Sequence, residues 1–117
     1  MATEKGEGLP RRFLPGFLLL SLERDGTSYG YELYETVRTL GLAVDLAAVY
    51  RALRTMQQHE LVTSQWVPSL SGPERRLYSL TDAGRASAAT AAGELATVRD
   101  GLISALEHFE ALDVSRP

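Results

Sequence analysis

The chain has no cysteine among its 117 residues. This excludes a disulfide framework and any metal site built from thiolates. It also agrees with a reducing compartment, so we expect the protein in the cytoplasm. The two histidines, His59 and His108, lie too far apart in sequence to form a local metal-binding motif. We therefore predict neither a metal site nor a cofactor.

Long hydrophobic runs are also missing. The longest apolar stretch, FLPGFLLLSL at residues 13–22, is too short to cross a bilayer core of about 30 Å as a helix. Arg11 and Arg12 precede it, as basic residues precede a signal peptide core, but no small-residue cleavage site follows. We interpret the stretch as a buried first helix and expect no membrane partner.

Motifs of known catalytic sites are absent from the sequence. There is no G-x-S-x-G elbow, no metal-spaced set of histidines and no glycine-rich phosphate loop beside a strand. The carboxylates are scattered along the chain. No catalytic residue is predicted, and an enzyme is the weakest of the functions considered.

Positive charge is concentrated in the middle of an acidic chain whose net charge is −3. Residues 1–48 carry five basic and seven acidic side chains, and residues 86–117 carry two arginines and five acids. Residues 49–85 instead carry five arginines and only three acids. This middle segment is therefore the part of the chain that attracts polyanions.

Hydrophobic periodicity and turn residues predict an order of elements. The predicted elements are helices over 13–24, from Thr27-Ser28 to Gly41 and over 45–58, strands over 61–67 and 75–80, and a helix from Thr81-Asp82 to about Leu112. This is the order of a winged helix-turn-helix followed by a long helix. The predicted fold is mainly α with a small β hairpin.

Three regions follow from this order. Residues 1–10 are polar and glycine-rich, which predicts a flexible N-terminal arm. Residues 11–80 form the predicted winged helix-turn-helix domain, and residues 81–117 form a C-terminal dimerisation helix with a short tail.

The third predicted helix has two distinct faces. At 100° per residue, one sector is apolar and faces a core, and the opposite sector carries no acid. The apolar sector contains Leu46, Val49, Tyr50, Leu53 and Met56, and the outer sector contains Ala47, Ala48, Arg51, Arg54, Thr55 and Gln58. Because the DNA major groove admits one helix, this outer face is predicted to contact base edges and phosphates.

The predicted hairpin supplies a second basic feature. Gly72 and Pro73 shape its loop, and Arg75 and Arg76 are expected at its tip, against the DNA backbone. Tyr78 with Leu80 is expected to face inward, although the strand register stays open. The predicted DNA-binding residues are Ala48, Arg51, Arg54, Thr55 and Gln58, then Arg75 and Arg76 in the wing at 67–76, and Ser28 and Tyr29 at the start of the second helix.

The last helix carries an apolar seam with a period of 3.5 residues, which favours packing against another helix. The predicted dimerisation residues are Leu95, Val98, Leu102, Ala105, Leu106, Phe109 and Leu112, together with Phe13 and Phe17 of the first helix. The alternative is that the seam packs against its own domain.

Three segments resemble the PadR-like transcriptional regulators: YGYELYETV (29–37), VYRALRTMQQHELVTSQW (49–66) and GPERRLYSLTDAGR (72–85). The resemblance covers about residues 13–85, and the single helix after the wing is similar to the short subgroup. It implies a homodimer that binds a palindromic operator near a promoter. Many members of the family release DNA when a small effector binds, so an effector is a further implied partner.

The chain departs from the family pattern at three places. Asp45, Leu46, Ala47 and Ala48 stand where the family has Ser-Pro-Gly-Thr, and Glu60 stands where a glycine ends the helix. The last helix has no tryptophan, a residue that holds ligands between subunits in some relatives.

The predicted function is therefore sequence-specific DNA binding by a homodimeric transcriptional repressor, cytoplasmic and associated with the nucleoid. Its expected partners are double-stranded DNA and a second copy of itself. An alternative stays open: a winged-helix protein–protein interaction module without DNA binding. The acidic net charge, the missing hydroxyl at Ala48 and the strong apolar seam support that alternative.

Overall fold

A computed structural model describes residues 8–114, and side chains through residue 111. A short 3₁₀ turn, Arg11–Phe13, leads into the chain of elements. They are α1 (Leu14–Asp25), β1 (Thr27–Tyr29), α2 (Gly30–Thr39), α3 (Leu46–Gln58), β2 (Val62–Ser69), β3 (Gly72–Leu80) and α4 (Asp82–Val114). The strands form one antiparallel sheet in the order β1-β3-β2. The predicted order of elements is confirmed, and β1 adds a third strand to the predicted hairpin.

The ends of α1 and α2 follow the predicted glycines. Gly26 and Gly41 both have positive φ, of 82° and 118°, a backbone conformation that glycine adopts without a side-chain clash. The N–H of Gly26 donates to the Leu22 carbonyl oxygen at 2.8 Å, and the N–H of Gly41 donates to that of Arg38 at 3.1 Å. Each helix therefore ends where a glycine N–H donates to one of its last carbonyl oxygens.

The start of α2 differs from the prediction. The residue that caps the helix is Tyr29, and Ser28 lies in β1 opposite Tyr78 of β3. Glu32 accepts hydrogen bonds from the Tyr29 N–H and the Ser28 hydroxyl, both at 3.2 Å. A strand of three residues is too short to show a period in the sequence, so only the pairing with β3 reveals it.

The buried face of α3 is turned relative to the predicted one. Asp45 caps the helix as expected, since its Oδ1 accepts from the Ala48 N–H at 2.8 Å. However, the Ala48 side chain is 7% exposed and belongs to the core, whereas Tyr50 is 37% exposed. The assignment of Ala48 to the outer face is therefore wrong. Small side chains such as those of Ala48 and Ala52 allow close packing, and the Tyr50 ring packs over Gly30 instead.

The hairpin is longer than its sequence indicates. Only Leu70 and Ser71 lie between β2 and β3, and the pairing shifts between Val67 and Ser69, where Pro68 has no N–H to donate. Such a bulge is tolerated because β2 is an edge strand. Arg75 and Arg76 lie opposite Val67 and Trp66. The expectation that they stand at the hairpin tip is therefore wrong, because the turn is at residues 70–71 and both arginines lie in the paired part of β3.

The core lies between the helices and the inner face of the sheet. Its largest fully buried side chains are Leu18, Leu22, Leu33, Val37, Leu42, Val49, Leu53 and Val62. Tyr78 and Leu80 face inward as predicted, at 3% and 9% exposure. Residues 8–10 of the predicted arm are held to the domain, since the Leu9 N–H donates to the Gly41 carbonyl oxygen at 2.9 Å. The remainder of the predicted arm, 1–7, and residues 115–117 of the predicted tail lie outside the described residues.

The beginning of α4 is fastened to the junction between α3 and β2. The Thr81 N–H donates to the Leu61 carbonyl oxygen at 3.0 Å, and the Thr81 hydroxyl donates to that of Glu60 at 2.7 Å. The Thr81 Oγ1 also accepts from the Gly84 N–H at 2.9 Å, which makes Thr81 the cap of the helix. None of the described helices is long and apolar enough to span a membrane.

Replacing Gly84 by alanine should destabilise the protein by about 2 kcal/mol or more, because overpacking a tight site costs about 1–3 kcal/mol. A methyl group at Gly84 would lie 2.0 Å from the Leu61 carbonyl oxygen. Gly93 in the same helix is the matched control, since a methyl group there meets nothing within 4 Å. Gly93→Ala should stabilise the protein by about 1 kcal/mol. Urea unfolding at one protein concentration measures both, and equal stability of the two variants would contradict the contact.

Replacing Glu60 by glycine should stabilise the protein. Glu60 has a φ of 61°, a left-handed conformation that costs about 1–2 kcal/mol with a side chain present. Glycine relieves this cost but loses about 0.5–1 kcal/mol of chain entropy, so a net gain of about 0.5–1 kcal/mol is expected. Glu94→Gly on exposed α4 is the control and should lose about 1 kcal/mol. Thermal and urea unfolding test both variants, and a less stable Glu60→Gly variant would refute the strain.

Candidate nucleic-acid interface

The exposed face of α3 carries most of the predicted contacts. Arg51, Arg54, Thr55 and Gln58 are all exposed, and Ala47 lies beside them. Among the described side chains, the ion pairs join Arg24 to Asp25, Arg85 to Asp82 and Arg99 to Asp100. None of these pairs involves Arg51 or Arg54, so both guanidinium groups keep their charge and donors available to a polyanion.

The two wing arginines are each held against an aromatic ring. The Arg75 guanidinium carbon lies 3.6 Å from the centre of the Tyr29 ring, and that of Arg76 lies 5.0 Å from the centre of the Trp66 ring. Cation–π contacts of this kind orient a guanidinium group without neutralising it. Neither arginine takes part in the ion pairs found along the described chain. The wing therefore presents two oriented positive charges.

A groove brings the wing and α3 to one side of the molecule. It has a volume of about 350 Å³ and lies where the wing faces the beginnings of α2 and α3. Its lining comprises Tyr29, Gly30, Tyr31, Tyr50, Trp66, Glu74, Arg75, Arg76 and Tyr78. Tyr50 is one helical turn before Arg54 in α3. The groove thus links the wing arginines to α3 at Tyr50.

Two predicted contact residues do not face outward. Ser28 is 5% exposed, and its hydroxyl donates to the Glu32 carboxylate. The buried Ala48 likewise has its N–H occupied by Asp45. The expectation that these two side chains lie on the outer surface is wrong, because Ala48 packs in the core and Ser28 pairs with Tyr78 in the sheet. Tyr29 is half-buried, with its ring beneath Arg75.

The sequence-based residue set omitted three exposed aromatic side chains on this surface. Tyr31, Tyr50 and Trp66 are 51%, 37% and 58% exposed. The apolar pattern of α3 predicts Tyr50 in the core, because such a pattern counts tyrosine as a core residue. The cross-strand pairing of Trp66 with Arg76 depends on the hairpin register, which the sequence left open. In the sequence, Gly30 is a signal of this site, because a residue without a side chain allows the Tyr50 ring to approach the backbone closely.

A second surface feature lies away from the groove, on α1 and α4. Leu9, Phe13, Phe17, Leu95, Val98, Leu102, Ile103 and Leu106, with Arg99, line an apolar depression of about 360 Å³. Phe13 and Phe17 stack with ring centres 6.2 Å apart. The structure thus brings six of the predicted dimerisation residues together and adds Leu9 and Ile103. Ala105 is half-buried and Phe109 is exposed further along α4, and the predicted Leu112 lies beyond the described side chains.

The family of the chain follows from its sequence and this architecture. The model of the transcriptional regulator PadR-like family matches residues 18–90, which include α2, α3 and the whole wing. The chain belongs to the PadR-like family of transcriptional regulators. Its members are regulators that bind DNA, not enzymes.

Along the described side chains, no three histidine, aspartate or glutamate residues come together as a metal site.

Comparisons with individual proteins agree with a PadR-like fold. A PadR-like regulator from Bacillus cereus strain ATCC 14579 is 26% identical, with a TM-score of 0.72 over 82% of this chain and 93% of that one. A PadR family regulator from Clostridium difficile R20291 is 25% identical, with a TM-score of 0.67 over 79% of this chain and 97% of that one. The winged helix and long α4 are thus shared with solved PadR structures.

A curated relative is longer than this chain. A protein of Mycobacterium tuberculosis (strain ATCC 25618 / H37Rv), named a probable transcriptional regulator, is 32% identical over 106 residues. The match covers 87% of this chain and 56% of the relative. The chain therefore spans just over half the length of that protein.

Proposed function

We propose that this PadR-like protein is a homodimeric, nucleoid-associated repressor that binds a palindromic operator through α3 and the wing. One observation carries the proposal. Arg51 and Arg54 of α3 and Arg75 and Arg76 of the wing are all exposed, and none of them belongs to an ion pair found between residues 8 and 111. The groove links the wing arginines to α3 at Tyr50, one helical turn before Arg54. Clustered unpaired arginines on a protein of net negative charge are typical of a surface that binds a polyanion.

Each basic element fits a different part of the duplex. An exposed helix enters the major groove, where Arg51 or Arg54 can donate two hydrogen bonds to guanine O6 and N7. Thr55 and Gln58 add donors and acceptors on the same face. The wing lies beside α3, so Arg75 and Arg76 reach the flanking phosphates or a narrow minor groove. In a two-fold dimer, the two half-sites would lie about one helical turn apart.

The apolar depression on α1 and α4 supports dimerisation. Leu102, Leu106 and Phe109 are 58–59% exposed on a helix of 33 residues, which is about 50 Å long. Among the described side chains, Ala88 and Ala91 near the start of α4 are buried, whereas Leu102, Leu106 and Phe109 in its later half stay exposed. A second copy, offering the same α1 and α4, would bury this surface through an isologous contact.

The alternative of a protein-interaction module loses one of its supports. It relied partly on the hydroxyl that is missing at Ala48. Because the Ala48 side chain is buried, a hydroxyl at this position would not face a duplex laid against α3. Repression follows if the operator overlaps a promoter, and release by a small effector would then relieve it.

The arginines of α3 and of the wing should differ in their effects on DNA binding. Substituting Arg51 and Arg54 by alanine should cost about 1–3 kcal/mol for each base contact and relax sequence preference. Substituting Arg75 and Arg76 should weaken specific and random DNA alike, and should reduce the slope of log K against log salt by about one per phosphate. Footprinting upstream of the protein's own gene locates the operator, and fluorescence anisotropy at several salt concentrations measures affinity.

Arg24→Ala is the matched control for charge, because Arg24 is exposed at the end of α1 and paired with Asp25. It should leave operator binding unchanged. Absence of a protected palindrome, or an affinity independent of salt, would refute DNA binding by this surface.

Dimerisation should depend on the apolar face of α4. Leu102→Glu together with Leu106→Glu places two charges in the depression, and a buried unpaired charge is strongly disfavoured. The variant should be monomeric at micromolar concentration by light scattering, and its operator affinity should fall about 10²–10⁴-fold, because bivalent contact is lost. Ser104→Glu, on an exposed part of α4 outside the depression, is the control and should stay dimeric. A monomeric wild type would overturn the proposal.

A further inference from the structure

We propose that Leu70, at the tip of the wing, enters the minor groove beside each half-site and makes the protein prefer A·T over G·C base pairs there. The inference rests on the proposed function, because it adds a contact to the same DNA complex. The preference would lie outside the bases that α3 contacts, so the operator would extend beyond the two half-sites.

The first argument is the exposure of Leu70. Its relative exposure is 109%, whereas no other large hydrophobic side chain in the described part of the chain exceeds 59%. The protein's own fold therefore buries none of this side chain. Single apolar residues are common on protein surfaces, but Leu70 lies at the end of the hairpin that also carries the wing arginines.

The second argument is the turn that carries this side chain. Only Leu70 and Ser71 connect β2 to β3. Turns of this length favour asparagine, aspartate and glycine, so the turn itself gives no reason for a leucine. Pro68 and Pro73 flank the turn, and each fixes its own backbone φ. The tip therefore loses little conformational entropy when it binds.

The third argument is the change in chemistry along the wing. Residues 67–73 contain no charged side chain, whereas Arg75 and Arg76 in β3 are held over aromatic rings. Arginine side chains bind the phosphates that border a groove, and an uncharged apolar tip does not. Leucine is instead among the apolar side chains that proteins insert into the minor groove.

The fourth argument is the reach of the hairpin. A strand rises about 3.3 Å per residue, so Gly72, where β3 begins, lies about 10 Å along the strand from Arg75. The minor groove is about 7.5 Å deep. A wing held to the bordering phosphates by Arg75 is therefore long enough to bring Leu70 to the floor of the groove.

The contact would favour A·T base pairs for two physical reasons. Guanine carries an N2 amino group on the floor of the minor groove, and an A·T pair has none. Leucine offers this group no acceptor, so burying it against Leu70 would cost a hydrogen bond to water. Pyrimidine–purine steps such as TA also unstack more easily around an inserted side chain.

Base analogues that alter only the minor groove test the contact. 2,6-Diaminopurine adds an N2 amino group to adenine, and inosine lacks that of guanine, while the major-groove edges stay the same. Each analogue replaces the bases that flank the half-sites of the footprinted operator, and fluorescence anisotropy measures the affinity. Diaminopurine in an A·T flank should weaken wild-type binding about tenfold, and inosine in a G·C flank should strengthen it about tenfold.

Three variants connect this discrimination to the wing tip. Leu70→Ser should bind natural and analogue flanks equally, and its slope of log K against log salt should match that of the wild type, because no charge is lost. Leu70→Met keeps an apolar side chain of similar length and should retain the discrimination. Leu40→Ser is the control, since Leu40 is 52% exposed at the end of α2, and it should discriminate like the wild type.

The outcomes separate this inference from the proposed function. Equal wild-type affinity for natural and analogue flanks, or unchanged discrimination in Leu70→Ser, would overturn the role of Leu70 and leave the proposed function standing. A smaller salt slope in Leu70→Ser would also overturn it, because the substitution would then have displaced the wing arginines. A wild type that binds no duplex refutes the proposed function itself, and the contact of Leu70 with DNA is refuted with it.

Discussion

The carbonyl oxygen of Leu61 is the point on which the arrangement of this protein depends. It accepts the Thr81 N–H, and the bare Cα of Gly84 packs directly against it. Thr81 in turn holds the Glu60 carbonyl through its hydroxyl. Because α3 ends at this junction, β2 begins there and α4 starts from it, a few backbone contacts set α3, the wing and α4 relative to one another. Glu60 adopts a strained left-handed backbone conformation at this junction.

This junction links the two surfaces on which regulation would depend. The exposed face of α3 and the wing adjoin it through the end of α3 and the start of β2, and the apolar seam belongs to α4, which starts from it. In a two-fold dimer, the direction of α4 would set the distance between the two α3 helices. DNA binding would require this distance to match the spacing of the two half-sites. The contact between Gly16 and Ala91 adds a second constraint, since a Cβ at Gly16 would lie 3.2 Å from the Ala91 methyl group. Close packing of α1 on α4 therefore also fixes the direction of α4.

The surface that we propose for DNA binding combines positive charge with aromatic rings. Stacking on Tyr29 and Trp66 keeps Arg75 and Arg76 in place without pairing them with carboxylates. The same side chains border a groove that also exposes the rings of Tyr31 and Tyr50.

The amino-acid sequence by itself determined those features that depend on neighbours in the chain. The apolar stripe of α3, the Asp45 cap, the glycine ends of α1 and α2, and the start of α4 at Thr81-Asp82 are all local, so the pattern predicted them. The family motifs likewise predicted a winged helix-turn-helix. The inward positions of Tyr78 and Leu80 followed from alternation along one strand.

Only the tertiary structure decided which side chains meet. Ala48 faces the core because a small side chain allows close packing there, and Tyr50 lies outside because its ring packs over Gly30 of α2. The apolar period of α3 does not indicate such close approaches. Ser28 became a buried strand residue because β3 was available to pair with it. Arg75 and Arg76 moved from the expected tip to mid-strand because the bulge at Pro68 lets the hairpin continue. The groove of Tyr31, Tyr50 and Trp66 unites residues from three elements. Such contacts depend on packing and strand register, and these are fixed only when the whole chain folds.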